Sequence, residues 1–168
     1  KARSAAVRVG WVCMPRGLAH LEATLLMQNI TVNTPLQLAL ADLIYSRAYR
    51  EHLQQLKPIL KQQVEQYRHM IQHAFNGVEL RINQPLGGYA LWLQLPECID
   101  GLDMYYFAQQ HGINIVPGEV FGEGRRYKNC SRLNAGHEIS TDIRAAVTLL
   151  ADWVKAQLSS STLVKQAV

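Results

Sequence analysis

The pattern of apolar residues in the first third of the chain predicts a strand followed by helices. Residues 7–13, "VRVGWVC", are β-branched and apolar, which is typical of a buried strand. A short helix is predicted at 17–28. The next helix is predicted to start at "NTP", with Thr34 as N-cap and Pro35 in the first helical position, and to end near Ser46.

A long amphipathic helix is predicted next, because apolar residues recur at steps of three and four. Pro58 either bends this helix or marks where a new one begins. The apolar stripe consists of Leu53, Leu56, Leu60, Val64, Tyr67, Ile71 and Ala74.

After "NG" at 76–77 the apolar period falls to two, which predicts strands. "VELRI" (78–82) and "YALWLQL" (89–95) are predicted to pair through the turn "NQPLGG". "GLDMYYFAQQHG" (101–112) is predicted to be a helix closed by its final glycine, and "INIV" (113–116) a short strand.

The last elements are a strand with an arginine at its centre and a terminal helix. "NCSRLN" (129–134) is predicted to be the strand, and Arg132 is the arginine. The helix is predicted to begin at Ser140 or Thr141, either of which can cap it, with a stripe formed by Ile143, Val147, Leu150 and Val154. From Ser159 the chain is small and polar, so we expect a flexible tail at 159–168.

Composition adds few constraints. The 168 residues, 48% of them hydrophobic, are enough for one compact domain or for one small domain plus a piece of another. The net charge of +4 is a poor indication of nucleic-acid binding. Three cysteines without CxxC spacing favour a reducing cytoplasm, and no apolar run approaches the roughly 20 residues of a membrane span. The chain begins with lysine and enters an internal type of strand at once, so we interpret it as a piece of a longer protein.

Generic catalytic and metal motifs are absent from the sequence. His69 and His73 have the spacing of two zinc ligands, but residue 70 is Met, so "HExxH" is missing and solvated histidines are the simpler interpretation. "GEG" at 122–124 lacks the third glycine of a dinucleotide fingerprint. Cys130 is either a tuned thiolate beside Arg132 or a small residue that packs behind the strand.

The ordered set "RVGWV", "NTPLQLALADLI", "GGYALWLQLP", "GINIVPGEVFG" and "NCSRLNAG" resembles the C-terminal part of a fold-type I pyridoxal-phosphate (PLP) aminotransferase. The stretch "PGEVFGEGRRYKNCSRLNAGH" is similar to that of MocR-type regulators of the GntR superfamily, which join an N-terminal winged helix-turn-helix to an aminotransferase-like domain. The resemblance implies an α/β fold with an α+β small domain at 49–158, preceded by the end of the large PLP-binding domain at 1–48.

By this resemblance, Arg132 receives the α-carboxylate of an amino acid, which a planar and permanently charged guanidinium binds through two parallel hydrogen bonds. The alternative is an ion pair with Glu119 or Glu123. Arg8 matches the arginine that binds the cofactor phosphate, and its alternative is a surface position. Lys1 lies near the place of the lysine that forms the Schiff base with PLP, although the family's usual Pro-Gly is missing from "ARSAAV".

The resemblance implies a PLP- and effector-binding domain of a GntR/MocR-type transcriptional regulator, with an amino acid or amine as effector. The full-length protein is expected to bind PLP, to form a homodimer in the cytoplasm and to bind DNA through its N-terminal domain, with no metal and no membrane. The alternative is an aminotransferase acting on amino acids and 2-oxo acids. A third possibility is a degenerate scaffold that serves dimerisation. The 168 residues alone are expected to hold little PLP and to be inactive.

Overall fold

The computed structural model describes residues 9–10, 23–25, 27, 33–123 and 126–166, without the side chains of 161–166. Most of the strand predicted at 7–13 and of the helix predicted at 17–28 lies outside these residues. The chain divides into two compact units with the boundary between Leu56 and Lys57.

In the first unit, helix α1 spans Thr34–Tyr45. Its N-cap is Asn33, whose side-chain oxygen accepts a hydrogen bond from the amide of Leu36 at 3.0 Å. The prediction of Thr34 as the cap was therefore wrong by one residue, because a short amide side chain satisfies the free amides of the first turn as well as a hydroxyl does. The predicted end of the helix near residue 46 is confirmed.

Helix α2 spans Arg47–Ala74 and continues through Pro58, so no new helix begins at that proline. The predicted apolar stripe is confirmed: its members are half-buried as far as Leu60, and Val64, Tyr67 and Ile71 are buried. Within the second unit, Val64, Tyr67 and Ile71 therefore form the face of α2 that packs on the core.

The second unit contains a four-stranded antiparallel sheet in the order β1-β2-β4-β3 within the described residues. The four strands are β1 (Arg81–Ile82), β2 (Ala90–Gln94), β3 (Val116–Pro117) and β4 (Cys130–Asn134). This architecture confirms the α/β class with an antiparallel small sheet.

The two outer strands are shorter than the sequence predicted. The amides of Val78 and Leu80 donate to carbonyls within 75–78, so the first half of "VELRI" continues the turn after α2. The amide of Ile113 donates to the carbonyl of Ala108 and holds the start of "INIV" against the preceding helix. Local hydrogen bonds have therefore replaced ladder pairing at both places.

Two further helices cover one face of the sheet. Helix α3 spans Gly101–Gln110, and the helix end is followed by Gly112 at a φ of 71°, as predicted. Helix α4 spans Thr141–Gln166, and the hydroxyl of Ser140 caps it by accepting from the amide of Ile143 at 3.2 Å. The helix extends beyond Ser159, where a flexible tail was expected.

The core lies between the sheet and the three helices of the second unit. Leu91 and Leu93 of β2 are buried and alternate with Trp92, whose side chain lies on the opposite face. No helix among the described residues is long and apolar enough to cross a membrane. The remaining buried apolar residues include Phe75, Leu95, Met104, Ala108, Val147, Leu150, Ala151 and Val154.

Candidate functional site

Arg132 lies at the centre of the sheet face that points away from the core. In the ladders, Arg132 of β4 lies directly opposite Trp92 of β2 and Val116 of β3. Residues directly opposite each other in antiparallel strands project to the same face. The three side chains therefore form one row across the sheet, on the face away from Leu91 and Leu93.

Aromatic rings cover part of this face and contact the arginine. Trp92 packs edge-to-face against Phe121 at a centroid distance of 5.4 Å and against Tyr127 at 5.3 Å. The guanidinium carbon of Arg132 lies 4.9 Å from the centroid of Phe121, and that of Arg126 lies 5.2 Å from the centroid of Tyr127. We refer to Trp92, Phe121 and Tyr127 as the aromatic cluster. Each end of the cluster thus carries one arginine.

Arg132 is exposed and makes no ion pair or side-chain hydrogen bond within the part of the chain that the structure describes. Glu119 and Glu123 lie nearby in sequence, yet neither forms an ion pair with Arg132 there. A guanidinium has five N–H donors and no other state than the charged one near neutral pH. Its donors therefore remain available to an anion from outside.

The segment that carries Phe121 is held tightly against the sheet by glycines. Gly118 begins a 3₁₀ turn, Gly118–Phe121, and a Cβ atom on it would overlap the carbonyl oxygen of Tyr127 and approach the Cβ of Cys130 to 2.7 Å. A Cβ on Gly122 would lie 2.8 Å from ring atoms of Tyr127. At both positions the close neighbour is the chain itself, so the lack of a side chain allows this segment to pack on Tyr127 and Cys130.

Cys130 is a packing residue of the same strand. Its side chain is 3% exposed, and burial raises the pKa of the thiol, with Trp92 acting weakly in the opposite direction. A raised thiol pKa keeps the sulfur protonated and unreactive at neutral pH. The interpretation of Cys130 as a small residue behind the strand is therefore favoured over a tuned thiolate.

A cavity of about 860 Å³ adjoins the arginine on the side of β3. Its lining includes Val116, Arg132 and Asn134 of the sheet, His137 of the following loop, and Asp142 and Ile143 of the first turn of α4. The cavity is large enough for a small molecule. Arg132 borders this cavity and also contacts Phe121 of the aromatic cluster.

Two other site residues were predicted from the sequence. Lys1 and Arg8 lie outside the described residues. His69 is exposed and lies 3.5 Å from Glu65, and no group of three or more metal-binding side chains occurs where the structure is described. The aromatic cluster was not predicted, although the alternation in "YALWLQL" places Trp92 on the face of Arg132 and could have indicated it.

Comparisons with known proteins agree with this fold. No protein-family model matches the chain. The uncharacterised HTH-type transcriptional regulator YdcR of Escherichia coli is 28% identical over 152 residues, which are 90% of this chain and 32% of the regulator. An uncharacterised aminotransferase of Saccharolobus solfataricus is 27% identical over 92% of this chain and 38% of its own length. The chain thus spans about a third of the length of the curated relatives it matches.

Among solved structures, the α-aminoadipate aminotransferase LysN of Thermus thermophilus superposes with a TM-score of 0.62. The sequences are 21% identical, and the superposition covers 88% of this chain and 38% of the enzyme. The chain therefore has the fold of fold-type I aminotransferases. In sequence the chain is similar to HTH-type transcriptional regulators as well as to aminotransferases.

Proposed function

We propose that this chain belongs to the effector-binding domain of a MocR-type transcriptional regulator, and that Arg132 binds the carboxylate of an amino-acid effector. The observation that carries the proposal is the state of Arg132: a permanent charge, exposed, without an ion pair among the described residues, and in contact with an aromatic ring. The sequence similarity to an HTH-type regulator supports the regulatory role.

The position of Arg132 in the sheet suits the binding of a carboxylate. Arg132 projects from a β-strand whose neighbours on both sides are hydrogen-bonded, so its Cα position is fixed by the sheet. A planar guanidinium on a fixed backbone can present two parallel N–H groups to the two oxygens of a carboxylate. This arrangement sets the orientation of the bound amino acid as well as its position.

The fold family implies PLP, which supplies an aldehyde carbon that bonds covalently to an amine. The described residues fit the carboxylate end of an amino acid next to that group, through Arg132. Lys1 and Arg8 would hold the cofactor itself, by its aldehyde and its phosphate respectively. For this chain, PLP binding and the roles of these two residues remain proposals.

In this proposal, the full-length protein binds DNA through an N-terminal domain and forms a homodimer in the cytoplasm. The effector would bind between Arg132 and the cofactor and would change the relative stability of two conformations of the protein. It can change DNA binding only if its affinity differs between these two conformations. The second candidate function is amino-group transfer, which the match to an aminotransferase of Saccharolobus solfataricus favours. A helix-turn-helix segment in the same gene distinguishes a regulator from an enzyme.

The test is a titration of the intact, PLP-loaded protein with each of the twenty amino acids, in which the visible absorbance of the protein is measured. Arg132→Ala should retain PLP and lose the response to the amino acid, since a desolvated charge pair is worth on the order of 2–5 kcal/mol. Arg132→Lys should restore only part of the response because an ammonium lacks the two parallel donors.

Arg126→Ala is the matched control, since Arg126 is also exposed and also contacts an aromatic ring of the cluster. It should respond like the wild type. If Arg132→Ala titrates like the wild type, Arg132 does not bind the carboxylate and the proposal fails.

A further inference from the structure

Phe121 is the residue that contacts the guanidinium of Arg132, and we propose that it is a positioning residue for carboxylate binding. The guanidinium carbon lies 4.9 Å from the ring centroid. The proposal rests on the proposed function of Arg132 and adds that the arginine is held in its binding conformation before the amino acid arrives. Phe121 acts through Arg132, not through contact with the carboxylate.

The ring of Phe121 is itself fixed by its surroundings. It is the last residue of the 3₁₀ turn Gly118–Phe121, and Trp92 packs against it with the two ring planes 79° apart. Trp92 is in turn packed against Tyr127 at 83°. The other end of the turn is Gly118, which packs so closely on Tyr127 and Cys130 that a Cβ atom there would overlap them. A ring held in this way can restrict the side chain that lies over it.

The contact leaves the hydrogen-bonding capacity of the arginine intact. An aromatic ring attracts a cation through its electron-rich face and needs no hydrogen bond to do so. Arg132 forms no side-chain hydrogen bond with any other residue that the structure describes, so its N–H groups stay available for two carboxylate oxygens. Ring contact and ligand contact can therefore exist together.

Holding the arginine in advance should strengthen binding. A long charged side chain loses rotamer freedom when it binds a ligand, and part of that loss has already occurred if the ring restricts it in the free protein. A cation–π contact at an exposed site corresponds to roughly a two- to fivefold change in an equilibrium constant. If instead the ring contact had to break on binding, removing the ring would tighten binding, so the sign of the effect is diagnostic.

Phe121 is 41% exposed, so the alternative is that it is a surface ring that merely packs on Trp92. A packing role would affect stability and would influence all ligands alike. A positioning role would affect only ligands with a carboxylate, and only while Arg132 is present. These two differences define the experiment.

The experiment measures dissociation constants by calorimetry on the intact, PLP-loaded protein. One probe is the amino acid among the twenty that gives the wild type its strongest response, and the other is the amine obtained from it by decarboxylation. Phe121→Leu keeps an apolar side chain but removes the ring face, and Phe121→Tyr keeps the ring. Val120→Ala is the matched control, because Val120 is a more exposed apolar residue of the same turn, at 69%.

We expect Phe121→Leu to weaken binding of the amino acid by roughly two- to fivefold. Phe121→Tyr and Val120→Ala should bind like the wild type, and binding of the amine should not change. In the Arg132→Ala background, Phe121→Leu should have no further effect. If the leucine variant does not fold, Phe121→Met is measured in its place.

Wild-type or tighter binding by Phe121→Leu would overturn the inference. So would an equal loss for the amine, or a loss that persists without Arg132. An Arg132→Ala variant that binds the amino acid like the wild type would overturn the proposed function itself, as would a wild type that responds to none of the twenty. The two failures are thus distinguishable.

Discussion

Replacing Gly118 with alanine is a direct test of how the segment bearing Phe121 is held. Gly118 is buried, and a Cβ atom at this position would overlap the carbonyl oxygen of Tyr127 and lie 2.7 Å from the Cβ of Cys130 and 3.0 Å from its carbonyl oxygen. All three neighbours are backbone or next to backbone. None of them can move aside by a simple rotamer change.

The expected cost follows from this geometry. Carbon atoms at optimal separation lie about 3.5–4.0 Å apart, so the added methyl group must displace the turn or β4 by several tenths of an ångström. Overpacking of this kind costs about 1–3 kcal/mol. Because β4 is paired on both sides, we expect the turn Gly118–Phe121 to move instead, which carries Phe121 away from Arg132.

The measurement is urea denaturation together with hydrogen exchange of peptides from 116–135. Gly118→Ala should lower the free energy of unfolding and increase exchange in this segment. The control is Gly87→Ala, because a Cβ at Gly87 would meet nothing within 4 Å. That variant should be neutral or slightly more stable, since alanine restricts the unfolded chain. Equal stability of the Gly118→Ala protein and the wild type would refute the packing argument.

Two further predictions concern titratable groups. Burial raises the pKa of Asp100, but hydrogen bonds from the amide of Leu102 and from Lys128 outweigh it, so the folded-state pKa is lowered. Its stabilisation is therefore present above about pH 4 and is lost as the pH falls through the folded-state pKa. Asp100 is the N-cap of α3, and asparagine can also cap a helix, so Asp100→Asn removes the charge and keeps the cap. It should cost about 0.2–1 kcal/mol in urea denaturation at pH 7, and the difference should shrink towards pH 2; a constant difference would contradict this. In thiol labelling of the native protein, exposed Cys98 should react rapidly and buried Cys130 only after unfolding, so equal rates would contradict the burial of Cys130.

The helices were predictable because their signals are local. The apolar stripe of α2 and that of α4 each repeat over several turns, and the structure buries the predicted faces. The strands β1 and β3 were predicted too long, since alternation cannot reveal that the amides of Val78, Leu80 and Ile113 bond to nearby carbonyls. The choice between Asn33 and Thr34 as a cap depends on backbone angles that the sequence does not state.

The surroundings of Arg132 were less predictable because they depend on contacts between residues that are distant in sequence. Trp92, Phe121 and Tyr127 come from a strand, a 3₁₀ turn and a loop that are separate in sequence, and they meet because β2 and β3 both pair with β4. The sequence suggested an ion pair between Arg132 and a glutamate as an alternative but could not show whether it forms. Distances between side chains on different elements decide it.

An arginine in the middle of a strand can be costly, and the described surroundings of Arg132 avoid that cost. A buried cation without a partner would be strongly unfavourable, and an ion pair with Glu119 or Glu123 would occupy its donors. The structure avoids both, because Arg132 is exposed, forms no ion pair with either glutamate and contacts the face of Phe121. A ring face stabilises a cation without a counter-ion, so in our proposal Phe121 restricts the guanidinium while its hydrogen-bond donors remain free. Order combined with free donors is what a site for an incoming carboxylate requires, and a merely solvated arginine would supply only the second.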